Sequence, residues 1–135
     1  MTRGEYRISA TDGTELVVGT HDARGDRGPV VILFHGLLSH MGWYRGLGDA
    51  LAADGLPVYL PDRRGAGRSG GIRGHVGSWH TLVDDARVVA GDVARRHPGR
   101  PLHAIGISLG GAVALATSLV APSTFERLSL LSPGV

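Results

Sequence analysis

The stretch from Leu102 to Ala116 reads Leu-His-Ala-Ile-Gly-Ile-Ser-Leu-Gly-Gly-Ala-Val-Ala-Leu-Ala. It begins with an apolar run of strand length and ends with an Ala-rich segment of helical spacing, which predicts a buried strand, a sharp turn and a helix. Ser108 lies at the turn, where we expect a strained backbone. Gly106 and Gly110 lack the Cβ atoms that would collide with the neighbouring strand and helix. Ser108 is therefore predicted to point outward at the top of a sheet, as a candidate nucleophile.

The rest of the chain alternates predicted strands and helices after an opening hairpin. An Asp-Gly pair at Asp12-Gly13 predicts the hairpin turn. Strands are expected at Tyr6–Ala10, Glu15–Thr20, Pro29–Phe34, Pro57–Leu60 and Arg127–Leu131. Helices are expected at Trp43–Ala53, to about Arg96 after an N-cap at Ser78, and from Leu109 to about Val120. This order predicts an α/β fold, with a mostly parallel sheet, an N-terminal antiparallel hairpin and helices on both faces. The polar residues of the second helix, Asp85 among them, are expected on its exposed face.

Composition excludes several classes of function. Hydrophobic residues make up 42% of the 135 residues and charged residues 19%, as in a globular domain. All 14 basic residues are scattered arginines offset by 12 acids, so no clustered basic face for nucleic acid is expected. The chain has no cysteine, which excludes disulfide and thiolate chemistry.

No apolar run approaches the ~18 residues of a membrane span and no signal-peptide pattern is present, so a cytoplasmic location is expected.

A serine nucleophile needs hydrogen-bond donors for the oxyanion that forms on the attacked carbonyl. The backbone N–H of Leu109 is one candidate donor, because it would lie at the start of a helix, where the dipole favours negative charge. The turn His35-Gly36-Leu37, which follows a predicted buried strand, would supply the second donor from the N–H of Leu37. His35 itself is a weaker candidate for a catalytic base, and is better interpreted as a residue that orders this loop.

Four ordered motifs carry a family resemblance. They are His35-Gly36-Leu37-Leu38-Ser39-His40 followed by Trp43-Tyr44, the run from Pro61 to Ser69 (Pro-Asp-Arg-Arg-Gly-Ala-Gly-Arg-Ser), Arg73-Gly74-His75-Val76, and the Ser108 turn. The chain resembles the α/β-hydrolase superfamily, and within it the monoacylglycerol lipase and lysophospholipase-like serine hydrolases. The resemblance implies a cofactor-free hydrolase of lipid-like carboxylic esters, with a small-molecule ester as its substrate. Ile107 and Ala66 stand where members of this group commonly have His.

The resemblance also implies a triad in the order Ser, then Asp or Glu, then His. No His or Asp follows Ser108, and the single acid after it, Glu126, precedes the last predicted strand. Residues 1–135 are therefore expected to be the N-terminal portion of one α/β-hydrolase domain, without the cap and C-terminal part and truncated after about the sixth strand. Without a base, Ser108 is expected to be inactive in this chain alone.

Other interpretations remain open. The chain could be a non-catalytic half-hydrolase that pairs with a partner through its exposed last strand, or a peptidase or haloperoxidase of the same fold. Arg63, Arg64 and Arg68 could bind an anionic head group, although loop-structuring ion pairs are the stronger interpretation. Asp62 is expected to cap and pair within this Arg-rich loop. The remaining histidines show no metal-ligand spacing, and no metal site is expected.

Overall fold

The computed structural model describes residues 2–25 and 28–134 and contains one six-stranded sheet in that part of the chain. The strands are β1 (Arg3–Ser9), β2 (Glu15–His21), β3 (Val30–Phe34), β4 (Val58–Pro61), β5 (Leu102–Ile107) and β6 (Arg127–Leu131). The helices are α1 (Arg45–Ala53), α2 (Trp79–Arg96) and α3 (Leu109–Val120), and a 3₁₀ turn at Met41–Tyr44 precedes α1.

The sheet order β1-β2-β4-β3-β5-β6 confirms the predicted fold class. Strand β2 pairs antiparallel with both β1 and β4, whereas β4, β3, β5 and β6 run parallel. The hairpin turns at Gly13, whose φ is 84°, a value that glycine adopts without strain. The Asp12 carboxylate accepts a hydrogen bond from the Thr14 N–H at 3.0 Å and closes the turn.

Helices cover the two faces of the sheet unequally. Helices α2 and α3 pack on one face, where the larger core cluster includes Ile32, Val89 and Ala114. Helix α1 packs on the other face over a smaller cluster that includes Val31 and Leu60. All five residues of β3 are buried, as the continuous apolar run predicted for a central parallel strand.

The structure corrects some boundaries and one burial assignment. Strand β1 begins at Arg3, and the helix expected from Trp43 begins as a 3₁₀ turn before α1 proper. Ser78 caps α2 as predicted, accepting a hydrogen bond from the Thr81 N–H. Asp85, which the amphipathic pattern assigned to the exposed face of α2, is buried, because Arg64 reaches it and neutralises its charge.

Candidate active site

Ser108 lies between the end of β5 and the first residue of α3, as the sequence predicts. Its φ is 51° and its ψ is −117°, so the backbone is strained at a non-glycine residue. Its side chain is exposed. Ser108 is therefore accessible to a substrate at the carboxyl ends of the parallel strands, which is where α/β sheets bind ligands.

The flanking glycines allow this turn to fit against its neighbours. A Cβ on Gly110 would lie 2.0 Å from the Phe34 carbonyl oxygen, at the end of β3. A Cβ on Gly106 would lie 2.5 Å from the Cα of Gly111, in the first turn of α3. Real Cβ atoms are not found at such distances, so both positions require glycine.

The turn after β3 lies opposite Ser108. A Cβ on Gly36 would lie 3.5 Å from the Cβ of Ser108. The next residue, Leu37, has its carbonyl oxygen held by the Arg63 guanidinium at 2.7 Å. Leu109 is the first residue of α3, and the N–H groups in the first turn of a helix have no acceptor within the helix. The backbone amides of Leu37 and Leu109, which are the predicted oxyanion donors, thus belong to two segments that lie close together in space.

His35 is buried and both of its ring nitrogens are occupied. Its Nδ1 donates to the Gly36 carbonyl oxygen at 2.8 Å, and its Nε2 accepts from the Arg63 N–H at 2.9 Å. These partners require a neutral ring with its proton on Nδ1. Burial lowers the pKa of His35, which favours the same neutral form. The side chain therefore orders the loop and has no nitrogen free to deprotonate Ser108.

Asp62 is 1% exposed and ties two loops together. Its carboxylate accepts hydrogen bonds from the Met41 N–H and the Arg68 N–H, both at 2.8 Å. The hydrogen-bond donors to this carboxylate are thus backbone amides. They are not the arginine side chains of the loop, with which pairing was also expected. Gly67 has a φ of 52° and passes so close to Asp62 that a Cβ would lie 2.1 Å from its Oδ2.

The arginines of this loop have structural partners. Arg64 pairs with Asp85 at 2.8 Å and with Asp12 at 2.6 Å, and these two carboxylates raise its pKa. Arg68 pairs with Glu5 at 2.7 Å. The ion pairs favour the loop-structuring interpretation for Arg64 and Arg68.

The sequence did not predict that the end of β6 and the residues after it would bind the Ser108 turn. The Ser108 N–H donates to the Leu131 carbonyl oxygen, and the Gly134 N–H donates to the Ser108 carbonyl oxygen, both at 3.0 Å. Ser132 has a φ of 45°, which turns the chain between these two contacts. The dipeptide Pro133-Gly134 is typical of a turn, but its hydrogen-bond partners depend on the pairing of β5 with β6.

A small cleft lies behind the site, between the sheet and the helices. Its volume is about 40 Å³, and residues that include Phe34, His35, Leu82 and Gly110 line it. It has room for a water molecule. Within residues 2–25 and 28–134, no group of His, Asp or Glu could hold a metal ion, and no helix is long and apolar enough to cross a bilayer.

The family model described as serine aminopeptidase, S33, matches residues 25–135. The chain belongs to the S33 α/β-hydrolase family. This assignment confirms the superfamily that the ordered motifs predicted.

Two lipases are among the relatives of this chain. The chain is 34% identical to a monoacylglycerol lipase of Mycolicibacterium smegmatis, over 99% of the chain and 48% of that protein. It is 31% identical to the human monoglyceride lipase, over 90% of the chain and 40% of that protein. The chain therefore spans about half the length of the mycobacterial lipase and 40% of the length of the human lipase.

A solved structure agrees on the fold. A carboxyl esterase from Bacillus coagulans superposes with a TM-score of 0.84 at 18% identity, over 96% of this chain and 44% of that one. At this identity the likeness shows the fold and says nothing of the substrate.

Proposed function

We propose that this S33 hydrolase cleaves carboxylic esters of lipid-like molecules, with monoacylglycerols and lysophospholipids as the substrate class. The observation that carries the proposal is Ser108, exposed and strained at a strand-to-helix turn that faces the Gly36 turn. The names of the two lipase relatives support the choice of ester. The proposal needs no metal or organic cofactor. We retain the cytoplasmic location as a prediction.

In the proposed reaction, the Ser108 oxygen attacks the ester carbonyl carbon while its proton passes to a base. The negative charge that develops on the carbonyl oxygen is stabilised by the N–H groups of Leu37 and Leu109. Collapse of the tetrahedral intermediate breaks the bond to the alcohol, which leaves with the proton, and water then hydrolyses the acyl-serine. Removing one oxyanion donor typically costs about 3 kcal/mol of transition-state stabilisation.

The base is proposed to come from outside these 135 residues. No His follows Ser108 in the sequence, and His35 has both nitrogens engaged. A serine without a base is a poor nucleophile, so we propose that residues 1–135 alone are inactive and form the N-terminal portion of one α/β-hydrolase domain.

Two proteins test this proposal: the 135-residue chain, and the product of its reading frame extended to the next stop codon. We expect the longer protein to hydrolyse monoacylglycerol and nitrophenyl esters, with turnover falling by about 10³-fold or more in Ser108→Ala. The 135-residue chain should show no turnover that depends on Ser108. An aminoacyl nitroanilide in the same panel tests the peptidase alternative.

Three results would contradict the proposal. They are full turnover in the longer Ser108→Ala protein, a Ser108-dependent burst in the 135-residue chain, or a reading frame that stops at Val135. Preferential cleavage of the nitroanilide would assign the chemistry to a peptidase.

The position of β6 favours a second candidate, a non-catalytic half-hydrolase that acts through a partner chain. Strand β6 is the last strand of the sheet in the part of the chain that the structure describes, and Leu131 is 48% exposed there. An unpaired apolar edge invites strand addition. This candidate predicts a dimer of the 135-residue chain by light scattering, and a monodisperse monomer would count against it.

A further inference from the structure

The turn after β3 contains a buried hydroxyl group, that of Ser39. The residue is 8% exposed, although it lies in the loop between β3 and the 3₁₀ turn before α1. Its hydroxyl donates to the Gly36 carbonyl oxygen at 3.2 Å, and its oxygen lies 3.4 Å from the Nδ1 atom of His35. Ser39, His35 and the Gly36 carbonyl therefore form one buried polar cluster.

The Gly36 carbonyl oxygen accepts two hydrogen bonds within this cluster. One comes from the Nδ1–H of His35 at 2.8 Å and the other from the Ser39 hydroxyl. A carbonyl oxygen has two lone pairs, so its capacity to accept hydrogen bonds is fully used. Both donors are buried side chains, which fixes the Gly36 carbonyl toward the interior of the protein.

The direction of the Leu37 N–H follows from this carbonyl. The peptide bond between Gly36 and Leu37 is trans, and in a planar trans peptide the C=O and N–H groups point in opposite directions. The Leu37 N–H is therefore directed away from His35 and Ser39. Among the described residues it has no hydrogen-bond acceptor, so it is free to bind an oxygen atom of a ligand.

The next peptide unit is fixed as well. The Arg63 guanidinium donates to the Leu37 carbonyl oxygen at 2.7 Å. Side chains thus hold the peptide units on both sides of Leu37, beside the exposed Ser108. A rotation that turned the Leu37 N–H away from its present direction would break the hydrogen bonds from His35 and Ser39.

We propose that Ser39 is a positioning residue for ester hydrolysis, because its hydroxyl holds the Gly36 carbonyl and so keeps the Leu37 N–H aligned with the oxyanion. The inference rests on the proposed function. A hydrogen bond from His35 alone would leave the carbonyl free to tilt about one contact, and the bond from Ser39 limits this tilt. Oxyanion donors are effective when they are oriented before the charge develops.

The test is Ser39→Ala in the product of the extended reading frame. We expect kcat for monoacylglycerol and nitrophenyl esters to fall about tenfold, less than the loss of about 10²–10³ that follows outright removal of a donor. KM should stay within about twofold, because the oxyanion forms only in the transition state. The affinity for a trifluoromethyl ketone, whose adduct with Ser108 carries an oxyanion, should weaken by the same factor as kcat/KM.

Ser69→Ala is the matched control, since it also removes a buried serine hydroxyl. Ser69 is 2% exposed, and its hydroxyl donates to the Asp62 carbonyl oxygen at 2.7 Å and accepts from the Val17 N–H at 2.9 Å. The control loses two hydrogen bonds, so its midpoint in urea should fall at least as far as that of Ser39→Ala. Its kcat should stay within about twofold of wild type.

An unchanged kcat in Ser39→Ala would overturn the proposal, as would equal losses of kcat in Ser39→Ala and Ser69→Ala. A rise in KM alone would also overturn it, because Ser39 would then act on substrate binding. Failure of the ester-hydrolase proposal is distinguishable: the wild-type protein would then lack turnover that Ser108→Ala abolishes. Ser108-dependent turnover that Ser39→Ala leaves intact overturns the positioning role alone.

Discussion

At the scale of single residues, the site depends on backbone positions where a side chain does not fit. The sequence predicted the turn at Ser108 and its need for glycines, because the Gly-x-Ser-x-Gly spacing has a steric cause. It did not predict which atoms impose that need. The Phe34 carbonyl oxygen excludes a side chain at Gly110, and this contact exists only once β3 and β5 are paired.

Gly110→Ala is expected to lower the free energy of unfolding by about 3 kcal/mol, because its Cβ would overlap the end of β3. Gly46→Ala in α1 is the matched control, since a Cβ there meets no atom within 4 Å. The control should be neutral or raise stability by about 0.5 kcal/mol. Urea unfolding of both variants measures the difference, and equal stabilities would contradict the steric account.

His35 predicts a pH dependence of stability. Burial lowers its pKa in the folded state below the ordinary value near 6.5, so the unfolded chain binds the proton more readily. The contribution of the neutral ring is therefore fully present above about pH 6.5. It is lost as the pH falls below that value toward the lower folded pKa.

His35→Gln removes the titrating group but keeps an acceptor for the Arg63 N–H, and should cost about 1–3 kcal/mol at neutral to alkaline pH. The free-energy difference between wild type and variant should shrink between about pH 8 and pH 5. His97, whose pKa is also lowered, titrates in both proteins and cancels. A difference that is constant or grows toward acid would show that His35 is not held neutral.

At the scale of elements, local signals predicted the hairpin, the buried strand β3 and the start of α2 at Ser78. They failed where a side chain from a distant loop decides burial. Asp85 has the spacing of an exposed helix residue, yet it is buried because Arg64, from the loop after β4, reaches it. Arg64 also binds Asp12 in the hairpin turn, and so links three elements.

Arg64→Met should destabilise the fold by about 3 kcal/mol, because it leaves the Asp85 carboxylate buried without its partner. Arg7→Met provides the control, since the Arg7–Glu15 pair is more than half exposed on both sides and is worth about 1 kcal/mol or less. Thermal unfolding of both variants tests the comparison. A similar loss of stability in Arg64→Met and Arg7→Met would show that the Arg64 ion pairs contribute no more than an exposed ion pair.

At the scale of the whole molecule, alternation of strands and helices predicted the fold class, and both the sheet order and the esterase superposition confirm it. The sequence could not predict how the far end of the chain closes the site. The backbone hydrogen bonds that join Ser108 to Leu131 and Gly134 form only when β6 pairs with β5. The position of Ser108, the proposed nucleophile, thus depends on the pairing of the parallel strands β3, β5 and β6.

The most direct test of the central claim is intact-protein and peptide mass spectrometry of the extended reading-frame product after reaction with an alkyl fluorophosphonate. We predict one adduct per chain, on the peptide that contains Ser108, and none in Ser108→Ala. An adduct on another residue, or equal labelling of the Ser108→Ala protein, would contradict the assignment of Ser108 as the nucleophile.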